Sequence, residues 1–129
     1  MSKTVIATDK APAATGPYSQ GVRTGNLHFT AGQVCVDPVT QQVVEGGITE
    51  QTARTFENLK AILEAGGSSL ARVVKATVFL KNINDFAAMN AVYSASFGQM
   101  SAPLPVRTTV EAARLPKDVL VEIDLIAEV

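Results

Sequence analysis

The chain of 129 residues contains no tryptophan, one histidine and one cysteine, and each scarcity closes off a class of chemistry. Cys35 has no second thiol to pair with, so an intramolecular disulfide is excluded and a reducing compartment is the default setting. His28 and Cys35 stand seven residues apart with no further cluster of such residues nearby, which does not match the ligand spacing of a standard zinc site. No metal is expected. A Ser-His or Cys-His nucleophile would have to use His28, the sole imidazole. In Asn26-Leu27-His28-Phe29-Thr30 that residue alternates with Leu27 and Phe29, as on the polar face of a strand.

Charge is also sparse. Eleven basic and 12 acidic residues make up 18% of the chain and leave a formal net charge of -1. Lys and Arg form no runs, so nucleic-acid binding through phosphate neutralisation has little support. No stretch approaches the ~20 apolar residues of a membrane span. The first ten residues are too poor in apolar side chains for a signal peptide, and the chain reads as soluble and cytosolic with no membrane partner.

Hydrophobic residues are plentiful, at 47%. The size prior gives one domain over residues 1–129, able to remove roughly two-thirds of its unfolded surface from water. So few charges leave an apolar surface, for which self-association is the natural outlet.

The pattern of elements is that of an α+β layer. Thr4 to Ala7 reads as an edge strand and Ala11 to Tyr18 as a loop broken by Pro12, Gly16 and Pro17. Gln20–Thr24 and Leu27–Gly32 flank Gly25-Asn26, a hairpin signal, and Val39–Val44 suggests a small edge ribbon. A helix is expected from a Thr49 cap, with Glu50 at its positive end and Gly66-Gly67 as its stop. Val73–Lys81 is the longest strand candidate, with Val74, Ala76, Val78 and Leu80 grouped on one side. Asp85 is placed to cap a second helix bearing Phe86, Met89, Tyr93 and Phe97 on one stripe. Strands around Arg107 and over Val119–Ala127 close the chain, separated by the Leu115-Pro116-Lys117-Asp118 turn. Two helices on one face of a mixed sheet account for this order. The other face keeps many apolar residues with no helix left to cover it, and a symmetric oligomer is the economical solution.

The most informative residue is Arg107, in Pro-Val-Arg-Thr-Thr-Val-Glu, where alternation groups it with Thr109 and Glu111. A guanidinium on a half-buried strand requires an anion, either a protein carboxylate or a ligand. Glu122, flanked on its own strand face by Leu120, Asp124 and Ile126, is the protein candidate. The two residues are either a structural ion pair or the two ends of a site that grips a small carboxylate and handles water.

Gly16-Pro17-Tyr18-Ser19-Gln20-Gly21, Thr30-Ala31-Gly32-Gln33, Asn82-Ile83-Asn84-Asp85-Phe86, Pro105-Val106-Arg107 and Ala113-Arg114-Leu115-Pro116-Lys117-Asp118 with Val121-Glu122-Ile123 together resemble the RidA/YjgF reactive-intermediate deaminase family. The likeness runs nearly end to end, in the same order. It implies a chorismate-mutase-like fold, a homotrimer with clefts between subunits, and cofactor-free hydrolysis of 2-imino acids, released by pyridoxal-phosphate enzymes, to 2-oxo acids and ammonia. Under this resemblance Arg107 clamps the substrate carboxylate, a task suited to its planar fork. Glu122 orients water or moves its proton, provided its apolar neighbours raise its pKa. Tyr18 lines the cleft of an adjacent subunit, Phe86 and Asn90 face the same cleft, and the Gly32 carbonyl helps to hold the water. The chain departs from the family pattern at Thr109, where a Cys is frequent, and at Ala31, where a Ser is. Thr109 keeps the backbone N-H, while the missing hydroxyl at Ala31 removes one hydrogen bond worth about 0.5 to 1.5 kcal/mol.

Two other functions stay open. The same cleft could bind small carboxylates without turnover, or an apolar trimer surface could hold unfolded chains. RNA cleavage, also associated with related proteins, is disfavoured by the missing basic patch.

Overall fold

The computed structural model describes residues 2–98 and 102–129. Six strands, β1 (Thr4–Ile6), β2 (Gly21–Thr24), β3 (Leu27–Thr30), β4 (Val73–Leu80), β5 (Val106–Glu111) and β6 (Val121–Glu128), form one sheet in the order β1-β2-β3-β6-β4-β5. All neighbours are antiparallel except β4 and β5, which run parallel. Helices α1 (Ile48–Ala65) and α2 (Phe86–Phe97) pack on the same face. The expected α+β arrangement is present.

Alternation makes the core. Val121, Ile123, Leu125 and Ala127 of β6 meet Ala76, Val78 and Leu80 of β4 beneath Phe56, Leu59 and Leu63 of α1 and Met89, Tyr93 and Phe97 of α2. A smaller cluster of Cys35, Leu115 and Val119, joined by Phe79, lies elsewhere. The long loop between β3 and α1 is held by fully buried Asn58, whose amide donates to the carbonyls of Val34 and Val36 at 3.0 and 2.9 Å.

Several expectations change in detail. Helix α1 begins one residue before Thr49: Gly47 is the N-cap, and its N-H donates to the Glu50 carboxylate at 2.8 Å. At the other end, Ser68 N-H bonds the Leu63 carbonyl and Gly67 N-H that of Glu64, a Schellman closure in which Gly67 takes φ +83°. Asp85 precedes α2 without a side-chain cap; the Asn82 side chain instead accepts from Asn84 N-H. Val74 is not on the core face. A register shift between Val73 and Lys75 puts Val73 in the core and leaves Val74 exposed, as a bulge does when it adds one residue to a strand. Val39–Val44 forms no ribbon; one bridge joins Val36 to Val43, and Val39 is exposed.

His28 is fully buried rather than on a polar face. The ring packs so tightly that a Cβ on Gly66 would come 2.6 Å from its Nδ1 and one on Gly21 2.8 Å from its Nε2. Neither nitrogen has a hydrogen-bond partner among the described residues. Burial, aided by the charge on Arg23, pushes its pKa below the usual 6.5. The unfolded chain therefore takes up a proton near pH 6.5 while the fold still resists it, and this residue's contribution to stability is lost as pH falls below that point. Relative to a His28→Leu variant, the wild type is expected to lose up to about 1.4 kcal/mol per pH unit between pH 6.5 and its lower folded-state pKa. Urea midpoints measured for both proteins from pH 7.5 to 5.0 check this. Taking the difference removes the opposing effect of Glu122 and Asp124, whose carboxyls burial holds above their usual range. A pH-independent difference would contradict it.

Candidate active site

Arg107 and Glu122 do not meet within the chain. Strand β6 lies between β3 and β4, and β5 pairs with β4 alone. Cross-strand register places Arg107 beside Ala76 and Thr109 beside Val78, on the helix-covered face. The same register places Glu122 beside Phe79 on the opposite face. An ion pair on neighbouring strands is thus excluded.

On the helix side, Arg107 Nη1 donates to Asn90 Oδ1 at 2.6 Å. Its guanidinium carbon lies 4.5 Å from the centroid of the Tyr93 ring and 5.3 Å from that of Phe86. Phe86, Asn90 and Tyr93 stand at i, i+4 and i+7 of α2 and form one stripe. No carboxylate pairs with Arg107 among the described residues. A cleft of about 300 Å³ opens beside it, lined by Asn90, Tyr93, Ser94, Leu104 and Pro105. Thr109 points to the same side, its buried hydroxyl without a hydrogen-bond partner among the described residues. Sequence reasoning assigned Tyr93 to the core stripe of α2 and missed its contact with Arg107; the spacing of seven from Phe86 was the available signal.

On the other face, Gly32 and Glu122 are neighbours. A Cβ at residue 32 would lie 3.0 Å from Glu122 Cδ and run into the carboxylate, so only glycine leaves that group its place. The bridge between Gln33 and Ile123 holds the two segments together. Burial, with the negative charge of Asp124 adding to it, raises the Glu122 pKa. The carboxyl is half-buried, and its protonated form is favoured relative to that of a carboxyl in water.

Tyr18 belongs to neither group. It is exposed in the loop before β2, its N-H bonded to the Gly16 carbonyl, beside a hollow of about 530 Å³ lined by Val5, Ala7, Ala14 and Gln20. Gln20 explains much of the surrounding motif without catalysis. Its buried amide accepts from Thr8 N-H at 2.7 Å and donates to the carbonyls of Thr8 and Pro12, tying the N-terminal loop to the sheet.

The family model described as endoribonuclease L-PSP matches residues 8–129. The protein belongs to the RidA/YjgF family. A RutC family protein of Pyrococcus abyssi is 56% identical over 127 residues, 98% of each chain. The 2-iminobutanoate/2-iminopropanoate deaminase of Salmonella typhimurium is 53% identical over 127 residues, again 98% of each. The crystal structure of E. coli TdcF with bound serine matches with a TM-score of 0.92 at 44% identity, covering 98% of both chains. This RidA/YjgF chain thus holds two groups of candidate residues, Arg107-Asn90-Phe86-Tyr93-Thr109 and Glu122-Gly32, on opposite faces of one sheet. Among the described residues, no three His, Cys, Asp or Glu side chains gather to hold a metal, and no helix is long and apolar enough to cross a membrane.

Proposed function

We propose that the protein hydrolyses short 2-imino acids to 2-oxo acids and ammonia, in clefts where the Arg107 half-site of one copy meets the Glu122 half-site of another. The observation that carries this reading is the guanidinium of Arg107, oriented by Asn90 and bonded to no carboxylate among the described residues. A cation held that way is suited to a bidentate carboxylate guest. The names of relatives supply the substrate class, and serine, bound by TdcF, is likewise a short α-substituted acid.

The chemistry follows from the two halves. With the carboxylate on Arg107, water adds through its oxygen to the imine carbon, and one of its protons passes to the imine nitrogen by way of Glu122. The carbinolamine then collapses. Its C-N bond breaks as the hydroxyl proton follows the same carboxylate to the departing nitrogen, leaving a 2-oxo acid and ammonia. No oxidant or cofactor enters this balance. Phe86, against the Arg107 guanidinium, walls the cleft, the Thr109 N-H serves the bound acid, and the Gly32 carbonyl helps to hold the water. Tyr18, exposed on its loop, serves the cleft of a neighbouring copy.

Assembly is part of the reading. Residues on opposite faces of a sheet cannot share a ligand, whereas copies related by a rotation axis can bring opposite faces together. Val106 and Val110, exposed on β5, are on the side away from the helices and suit burial against another copy. A homotrimer is the proposed form. RNA cleavage, suggested by the family description, lacks an acid-base imidazole here because His28 is buried and biased toward its neutral form.

The test is direct. An amino-acid oxidase or a threonine dehydratase generates the imine, and its decay is followed with and without the protein. Accelerated decay is expected. A protein that binds 2-oxobutanoate in calorimetry yet leaves imine decay unchanged would be a carboxylate-binding module instead.

A further inference from the structure

We propose that Tyr93 is a positioning residue for the carboxylate clamp, its ring supporting the Arg107 guanidinium from the side so that the N-H fork stays free for substrate. The inference rests on the reading of Arg107 as that clamp. A cation partly withdrawn from water needs a compensating group. A carboxylate would compensate it but would occupy the same edge that a substrate must reach. An aromatic face attracts the cation through its quadrupole and takes none of the guanidinium hydrogens, which lie in the plane of the group.

Tyr93 is placed for this task. Its centroid lies 4.5 Å from the guanidinium carbon, nearer than the 5.3 Å of Phe86. The ring itself is fixed from behind: Phe56 meets it edge-on at 5.8 Å between centroids, and Phe97 lies tilted at 4.8 Å. Only 7% of the residue is exposed, so the platform has little freedom to move. Asn90 then sets the rotation of the guanidinium by taking one N-H, and the other donors remain. The Tyr93 hydroxyl is buried without a partner among the described residues. Burial pushes its pKa up more than Arg107 pulls it down, so the ring beneath the cation is a neutral phenol.

The experiment uses the intact protein and 2-oxobutanoate, a non-reacting carboxylate, in calorimetry. Tyr93→Phe keeps the ring and is expected to bind within about 3-fold of wild type. Phenylalanines of increasing fluorination incorporated at position 93 keep the shape while draining the quadrupole. They are expected to weaken binding progressively, by about 3- to 30-fold at full fluorination, with KM for imine rising in step and kcat changing less. Circular dichroism confirms that each variant is folded. A flat series, beside an Arg107→Ala control that loses binding, would overturn the role of Tyr93 alone. An Arg107→Ala control that binds as wild type does would overturn the clamp itself.

Discussion

Replacing Arg107 with alanine is expected to slow imine hydrolysis by about 30-fold to several thousand-fold, as loss of a desolvated charge pair costs about 2–5 kcal/mol. The side chain makes its polar bond to Asn90 and lies over two rings, so its removal should weaken substrate capture more than the fold. Arg107→Lys is expected to recover little. An ammonium is a point charge that cannot present two parallel N-H groups. The coupled imine assay reads both variants, with thermal unfolding as the control. An Arg107→Ala protein of wild-type activity would place the chemistry elsewhere.

Glu122→Gln is expected to reduce turnover by about 10²- to 10⁴-fold, the usual contribution of a positioned acid-base group, with little change in 2-oxobutanoate affinity. Glutamine keeps the shape beside Gly32 and cannot relay a proton. The two inactive variants together make the sharper test. Arg107 and Glu122 face opposite sides of the sheet, and in the proposed assembly a working cleft draws Arg107 from one copy and Glu122 from another. Equimolar subunits of the two variants, mixed under conditions that allow exchange, should therefore regain about a quarter of wild-type activity, the fraction of interfaces that receive both native halves in a cyclic assembly. Arg107→Ala mixed with itself should stay inactive. If exchange is verified by mass and no activity returns, the cleft is not shared in this way.

How much of this was legible in the sequence depended on the range of the interaction involved. Alternation placed Val121, Ile123 and Leu125 on one side of β6 and Glu122 and Asp124 on the other, because the strand period is a property of the local backbone. The stripe of α2, with Phe86, Met89, Tyr93 and Phe97, was readable for the same reason. The bulge at Val74 was not, since its register is set by pairing with Ile126 and Ala127 of β6, far along the chain. His28 looked polar-facing because its neighbours in the chain are apolar. It is buried because Gly21 and Gly66, from two other segments, leave room for a ring.

The sequence by itself determined that an α+β layer would form, that Arg107 would sit on a half-buried strand in need of an anion, and that the motifs around it match the RidA/YjgF family. The first two follow from periodicity and residue chemistry within short windows, the third from the likeness of the motifs themselves. Tertiary structure alone decided that Glu122 is not its partner, that Asn90 and Tyr93 are, and that Gly32 lies against the Glu122 carboxyl. Strand order and the facing of side chains across the sheet emerge only when distant segments pair. A guanidinium and a carboxyl that seemed to share one site were thereby separated onto opposite faces.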